Sequence, residues 1–169
     1  MRKRTFIGIG LSILSVVVLL WIASSFMLNY SLSPINRGKD LQGSWEYMFE
    51  NYPELQSWKD SLQQADALKD TFIYAPDRTL LHAIYVAAPV PTSKTAVIVH
   101  GYTDNAIRMM MIGYMYNRSL GYNILLPDLR YSGQSEGDYL QMGWLDRKDV
   151  MRWMNVANQI YGDSTQMVI

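Results

Sequence analysis

The sequence predicts an α/β domain, a mostly parallel sheet with flanking helices, that is preceded by one transmembrane helix. Between residues 95 and 169, short apolar runs rich in β-branched residues alternate with helical patterns, which indicates β–α–β units. A long uncharged and apolar stretch occupies residues 6–28, directly behind a basic cluster. These observations predict an anchor at residues 1–30, a linker with amphipathic helices at 31–70, and the α/β domain at 71–169.

The composition excludes several kinds of site. The 169 residues carry 15 basic and 15 acidic side chains, so a zero net charge gives no reason to expect nucleic acid as a partner. Cysteine is absent, which excludes disulfides, thiolate metal sites and a cysteine nucleophile. The two histidines, His82 and His100, leave little material for a metal cluster, and no cofactor is expected.

The amino-terminal stretch is long enough to cross a membrane. At about 1.5 Å per residue, residues 6–28 can span a hydrocarbon core of about 30 Å. Trp21, Phe26 and Tyr30 near its far end suit the membrane interface. The basic residues 2–4 should stay in the cytoplasm, so we expect a single-pass protein whose carboxyl-terminal domain lies on the extracytoplasmic side.

A cleaved signal peptide is the alternative to this anchor. The apolar region of a signal peptide normally has about 7–15 residues and is followed by a small-residue cleavage site. The stretch at residues 6–28 is longer, and Ala23-Ser24-Ser25 is a weak cleavage site. The pattern therefore favours an uncleaved anchor.

Two amphipathic helices are predicted after the linker at residues 31–38. Residues 40–51 place an apolar side chain on one helical face at each turn, and a second helix begins near Pro53. The two stripes consist of Leu41, Trp45, Met48 and Phe49, and of Leu55, Trp58 and Leu62. The helices could form a lid or rest on the membrane, but packing on the domain is the favoured interpretation.

An antiparallel hairpin is predicted next. Residues 71–75 and 80–87 read as strands, and the turn residues 76–78 lie between them. His82 lies within the second strand. We interpret it as a packed or edge residue and not as a ligand.

Three further strands and two helices follow the hairpin. Residues 95–99 and 122–127 are predicted as buried strands, and a third begins near residue 166. The intervening helices are predicted at residues 107–120 and 145–160. Residues 95–99 and 123–126 should be neighbours in a parallel sheet. The methionine-rich stripe of the first helix (Met109, Met110, Met111, Met115) is expected to face the sheet, and Asp146 and Asp149 are expected to be solvated.

Two polar motifs come directly after the first two of these buried strands. The first is His100-Gly101-Tyr102-Thr103-Asp104-Asn105, and the second is Asp128-Leu129-Arg130-Tyr131-Ser132-Gly133-Gln134-Ser135-Glu136-Gly137. Chemistry in open α/β sheets sits at the carboxyl ends of strands. In this order the motifs resemble the α/β-hydrolase superfamily, in particular bacterial feruloyl and cinnamoyl esterases and related serine peptidase-like hydrolases. The resemblance covers residues 72–169, and the fold it implies is an incomplete α/β-hydrolase fold.

The resemblance implies a serine hydrolase that cleaves small-molecule or peptide esters or amides through an acyl-enzyme. One oxyanion-hole donor of this superfamily comes from the loop after the third strand, which here is the Tyr102 N–H. The Tyr102 side chain would line the acyl pocket, and Gly101 would let the backbone bend. His100 would hold the loop without transferring protons. Asp128 and Arg130 would support the second loop as a carboxylate–guanidinium pair. Gly133 and Gly137 would permit its tight backbone.

The catalytic triad does not occur in the sequence. A Gly-x-Ser-x-Gly spacing occurs once, at Gly133-Gln134-Ser135-Glu136-Gly137, but neither Ser132 nor Ser135 lies in a strand-to-helix turn of that kind, so neither is expected to be the nucleophile. In the superfamily the nucleophile follows the strand that begins near residue 166, and the acid and base come later. We therefore expect the amino-terminal portion of a longer enzyme, inactive alone. The alternatives are a non-catalytic, membrane-anchored binding module, or an enzyme of acyl transfer or thioester cleavage.

Overall fold

The computed structural model describes residues 2–33, 37–162 and 165–169 and divides into two compact units, Met1–Pro34 and Ile35–Ile169. The first unit is the single helix α1 (Arg2–Leu32). Its segment Phe6–Leu32 is long and apolar enough to cross a membrane, and none of it is buried in the structure. A signal sequence near the amino terminus can meet the same criteria of length and hydropathy, so the helix is a candidate span.

The second unit begins with two short helices that pack on a sheet. Helix α2 (Leu41–Asn51) starts where the Asp40 side chain accepts a hydrogen bond from the Gly43 N–H at 2.9 Å. Helix α3 (Glu54–Gln64) follows Pro53. Their stripes enter the same core as the sheet, with Met48, Leu55 and Trp58 buried. This is the packed arrangement that the sequence favours.

The sheet has five strands in the order β1-β2-β4-β3-β5. The strands are β1 (Lys69–Tyr74), β2 (Leu80–Val86), β3 (Lys94–Val97), β4 (Asn123–Pro127) and β5 (Gln166–Val168). The predicted hairpin of β1 and β2 is present, and β2 also pairs antiparallel with β4. Strand β3 pairs in parallel with both β4 and β5. Thr95 lies opposite Asn123, which confirms the prediction that these two strands are parallel neighbours.

The connection between β3 and β4 is not the continuous helix that the sequence predicts. A 3-10 turn (Ala106–Met109) leads into α4 (Met110–Tyr114), and a π turn (Met115–Ser119) ends the segment. The Asn105 side chain accepts from the Arg108 N–H at 3.2 Å and so starts the tight first turn. The methionine stripe faces the sheet only in part, because Met110 is fully buried whereas Met115 is 44% exposed.

Helices cover both faces of the sheet. Alternate strand residues point to opposite faces, so Ala96 and Ile124 share a core with residues of α2, α3 and α4, whereas Val97 and Leu125 share a core with residues of α5 (Asp146–Tyr161). Trp153 and Ala157 fill the space under α5. Every residue of β4 is buried, as expected for a central strand, and its carboxyl end therefore lies at the middle of the sheet edge.

Candidate functional site

The two motifs lie side by side at the carboxyl ends of β3 and β4, and His100 joins them. Its Nδ1 donates to the Gly101 carbonyl oxygen at 2.8 Å, and its Nε2 accepts from the Leu129 N–H at 2.9 Å. The neutral tautomer with the proton on Nδ1 satisfies both partners. The ring is buried, and both nitrogens are engaged by the backbone. His100 thus clamps two loops together and has no nitrogen available for proton transfer.

Tyr102 lies at the tip of the first loop, beside a pocket. Its side chain is 53% exposed, and the turn closes through a hydrogen bond from the Asp104 N–H to the Gly101 carbonyl. The pocket has a volume of about 380 Å³, and its apolar wall is formed by Val99, Leu129, Leu140, Met142 and Val150. Asp146 and Arg147 also line it. The geometry is compatible with an acyl pocket, but the oxyanion role of the Tyr102 N–H stays a prediction.

The carboxylate of Asp128 is the central acceptor behind these loops. Its Oδ2 lies 2.7 Å from His82 Nδ1 and accepts from the Gln134 N–H at 2.9 Å. Its Oδ1 accepts from the Ala106 N–H at 2.7 Å. Asp128 therefore ties together β2, the loop after β3 and the loop after β4.

The predicted pair of Asp128 with Arg130 is wrong, because each side chain has other partners. The buried carboxylate of Asp128 takes two backbone N–H donors and a histidine. Arg130 Nε instead donates to Asp149 Oδ2 at 2.6 Å, and its Nη1 donates to Asp77 and Thr79. The bond with Asp149 is the largest cause that raises the pKa of Arg130, against the opposing effect of burial.

Arg130 thus braces its loop against α5 and against the turn after β1. The Asp149 side chain is 3% exposed and that of Asp77 is 49% exposed, so only the first pair lies in the interior. The hydrogen bond from Arg130 holds the pKa of Asp77 well below its usual range.

The glycines of the motifs differ in what the structure requires of them. A Cβ on Gly133, whose φ is +50°, would lie 1.9–2.1 Å from the carboxyl atoms of Asp128. Gly137 has a φ of +134°, and a Cβ there would approach the Tyr131 nitrogen to 3.0 Å. Gly101 is different, since it has no such φ and a Cβ would meet nothing within 4 Å. The sequence suggested that Gly101 lets the backbone bend. The structure shows neither a backbone conformation nor a close contact at this position that requires a glycine.

Both serines of the second motif are buried. Ser135 Oγ donates to the Asp128 carbonyl at 2.7 Å and accepts from the His82 N–H at 2.9 Å. Ser132 Oγ is buried without a hydrogen-bond partner in the described part of the chain. Neither serine is among the residues that line the pocket beside Tyr102, so neither presents its hydroxyl there.

Sequence reasoning missed a third support of the site. The Gly38 carbonyl, assigned to the linker, accepts from the Gly133 N–H at 2.6 Å and from Asn105 Nδ2 at 3.2 Å. Asn105 Nδ2 also donates to Ser44 Oγ at 2.8 Å. Lys39 Nζ donates to the Ser135 carbonyl. These four contacts bind the segment before α2, and α2 itself through Ser44, to both motif loops.

The expectation for the acidic start of α5 is also wrong, because Asp146 and Asp149 are buried and not solvated. Asp146 Oδ2 accepts from the Gly143 N–H at 2.9 Å, and burial raises the pKa of this carboxyl group. A signal was available, since Asp149 lies four and eight residues before Trp153 and Ala157 and so shares their buried helical face. Among the residues that the structure describes, no group of acidic or histidine side chains could hold a metal ion.

Comparisons with known proteins agree with this architecture. No protein-family model matches the chain. An uncharacterized protein of Bacillus subtilis (strain 168), YqkD, is 33% identical over 66 residues, which cover 39% of this chain and 21% of that protein. The esterase Pf2001 of Pyrococcus furiosus matches with a TM-score of 0.51 at 22% identity, over 63% of this chain and 42% of the esterase. DcsB, solved with a substrate analogue, matches with a TM-score of 0.52 at 14% identity, over 60% of this chain and 36% of DcsB.

These likenesses show the fold. The chain has a partial α/β-hydrolase fold, a mixed sheet with helices on both faces, and the matches span less than half of each of these proteins. Its two motif loops occupy the sheet edge at which this fold carries its chemistry.

Proposed function

We propose that the chain contributes the oxyanion side of a membrane-anchored serine hydrolase, which cleaves small-molecule or peptide esters or amides through an acyl-enzyme. The supporting observation is the clamp between His100 and Leu129, which fixes the Gly101–Tyr102 turn at the carboxyl edge of the central strands. An apolar pocket of about 380 Å³ opens beside that turn. A fold of this class with a fixed turn and an adjacent pocket suits acyl transfer to a serine.

In this proposal the Tyr102 N–H donates a hydrogen bond to the oxygen that becomes negatively charged during the reaction. Attack of a serine on a carbonyl carbon moves an electron pair onto the carbonyl oxygen, and a backbone donor held in place stabilises this oxyanion by about 2.7–4 kcal/mol. Preorganisation is what makes the donor effective, and here it comes from His100 on one side and from Asp128, through the Ala106 N–H, on the other. The proposal needs no cofactor and no nucleic acid.

The nucleophile, acid and base are assigned to residues outside this sequence. The Gly-x-Ser-x-Gly at residues 133–137 opens no helix, and its Ser135 is buried, as is Ser132. The chain alone should therefore not turn over p-nitrophenyl esters above the background of a protein-free blank. Turnover that Ser132→Ala or Ser135→Ala abolishes would overturn this assignment.

Labelling with a fluorophosphonate tests the hydrolase itself. Membranes of the source cells are treated with the probe, and each labelled species is identified by intact mass and by its amino-terminal sequence. A labelled protein that carries this amino terminus and is heavier than 19.5 kDa is the expected result. A protein of 19.5 kDa that stays unlabelled would overturn the proposal.

The anchor forms the second part of the proposal. We assign α1 to a single membrane span with the basic end in the cytoplasm and residues 35–169 on the other side. Its 27-residue apolar segment and the preceding Arg2, Lys3 and Arg4 support this orientation. The protein should remain in the pellet after a carbonate wash and retain its amino terminus. Recovery of a soluble protein that lacks residues 1–25 would identify a cleaved signal peptide instead.

A non-catalytic binding module is the second candidate. The burial of Ser135, the serine of the Gly-x-Ser-x-Gly at residues 133–137, favours it, whereas the fixed Gly101–Tyr102 turn has no evident use in a binding protein. The labelling experiment separates the two, because a binding module gives no labelled species. An enzyme of acyl transfer or thioester cleavage would take the same label as an ester or amide hydrolase. Substrate assays distinguish these reactions.

A further inference from the structure

His82 is buried in the sheet and belongs to neither motif. It lies on β2 with a side chain that is 1% exposed. Its Nδ1 lies 2.7 Å from Asp128 Oδ2, and its Nε2 lies 2.8 Å from Asp70 Oδ1 on β1. The ring is therefore held between two carboxylates from different parts of the fold. The side-chain amide of Gln134 also lies 3.1 Å from Nε2, and an Nε2–H that donates to Asp70 requires the amide oxygen, and not its nitrogen, to face the ring.

A short chain of hydrogen bonds leads from His82 to the loop that carries Tyr102. Asp128 Oδ2 receives His82 and the Gln134 N–H, which leaves Oδ1 directed at the Ala106 N–H, 2.7 Å away. Ala106 opens the 3-10 turn that ends this loop, four residues after Tyr102. The rotation of the Asp128 carboxylate thus decides whether the end of the loop is held.

We propose that His82 is a positioning residue, whose Nδ1–H orients the Asp128 carboxylate and thereby holds the loop between Gly101 and Ala106. Asp70 holds the ring from the opposite side. The positioning is a property of the fold, and only its catalytic meaning rests on the proposed hydrolase function.

The charges around the ring support this role. Burial by itself lowers the pKa of His82, but the hydrogen bonds and charges of Asp128 and Asp70 outweigh burial, and the net pKa is raised. The ring therefore keeps protons on both nitrogens to higher pH than a free histidine. An apolar side chain could fill the same space, but it would leave Asp128 Oδ2 without its side-chain donor.

Two substitutions separate positioning from packing, because each keeps one nitrogen position of the ring. The amide of His82→Asn places a donor where Nδ1 was, and that of His82→Gln places one where Nε2 was. Amide hydrogen exchange is measured by NMR on the full chain in detergent micelles. The Ala106 amide should exchange at the wild-type rate in His82→Asn and about tenfold faster in His82→Gln, the size of effect of one lost hydrogen bond.

Internal and matched controls keep this result interpretable. The Val97 amide in β3 should exchange equally in both variants, since general destabilisation would accelerate both positions. Asp70→Asn should lower the pKa of His82, read from its ring ¹⁵N shifts, without releasing Ala106. The control Asp66→Asn removes an exposed charge next to β1 that contacts Lys69 and not His82. Equal Ala106 exchange in His82→Asn and His82→Gln would overturn the proposal.

A failure of the hydrolase function would look different. The exchange pattern does not depend on a nucleophile, so it would persist in a protein that takes no fluorophosphonate label. If a labelled longer protein is found, His82→Gln should lower kcat more than it changes KM, and His82→Asn should restore kcat. A change of KM alone would contradict the link between His82 and the oxyanion loop.

Discussion

The Nε2 atom of His100 accepts a hydrogen bond from the Leu129 N–H at 2.9 Å, so a side chain from the loop after β3 meets the backbone of the loop after β4. The same ring binds its own loop through the Gly101 carbonyl. One imidazole is therefore bonded to both motif loops. A His-Gly dipeptide alone is a weak sequence signal for this fold. Here the histidine side chain accepts a hydrogen bond from the loop that carries the second motif.

Replacing His100 should loosen this junction according to the acceptor that remains. His100→Leu leaves the partly buried Leu129 N–H without a partner and should destabilise the domain by about 1–3 kcal/mol. His100→Gln can place Oε1 near the Nε2 position and should cost less than half as much. Urea unfolding followed by near-ultraviolet circular dichroism measures both values. Equal losses in the two variants would show that ring packing, and not the hydrogen bond, is what matters.

Gly133 should be intolerant of any side chain, and Gly121 supplies the matched control. Both have positive φ, +50° and +69°, but a Cβ on Gly121 meets nothing within 4 Å. Gly121→Ala should therefore cost about 1–2 kcal/mol from backbone strain alone. Gly133→Ala must also displace an Asp128 carboxylate that three hydrogen bonds hold, so it should prevent folding of residues 35–169. Two variants of similar stability would contradict the crowding at Gly133.

The sheet could be predicted from the sequence because its signals are local. The buried runs at residues 95–99 and 122–127 are short, largely apolar and bounded by turn residues, and β3 and β4 lie there. The site's position followed from the strands, since a motif that comes directly after a strand lies at its carboxyl end.

The partners within the site could not be predicted in the same way. Asn105 and Ser44 are 61 residues apart, and Asn105 and Gly38 are 67 apart, so their contacts leave no periodic pattern. The predicted Asp128–Arg130 pair is wrong because the fold brings His82 and two backbone N–H groups to Asp128. Nearness in sequence does not indicate these partners. The burial of Asp149 could have been predicted, although its partner could not, because its spacing to Trp153 places both on one face of α5.

The two carboxylates on Arg130 should differ strongly in their contribution to stability. Asp149→Ala removes a buried partner and leaves the guanidinium underpaired in the interior, which should cost about 3–5 kcal/mol. Asp77→Ala removes a partner that is half exposed, and a pair of that kind contributes about 0.2–1 kcal/mol. Urea unfolding at neutral pH compares the two. A loss in Asp77→Ala as large as that in Asp149→Ala would place the main bracing contact at the turn after β1.

The contribution of Asp70 to stability should fall as the pH rises. Because the pKa of His82 is raised in the folded state, its stabilisation is complete below the ordinary value of 6.5 and is lost as the pH rises through the folded-state pKa. The charged groups that face this region are Asp70, Asp128 and, on the far side of Asp128, Lys39, whose pKa burial lowers. Lys39 is common to wild type and Asp70→Asn, so the difference between them isolates His82.

The measurement is the free energy of unfolding of the full chain in detergent from pH 5.5 to 9, for wild type and Asp70→Asn. Wild type should be the more stable protein at the acid end, and the difference should shrink towards pH 9 as the His82 ring loses its charge. Asp66→Asn, which changes the same formal charge beside β1 without touching His82, should differ from wild type by an amount that varies little with pH. A difference between wild type and Asp70→Asn that grows with pH would mean that His82 is neutral in the folded protein, and that Asp70 does not hold it in the charged form.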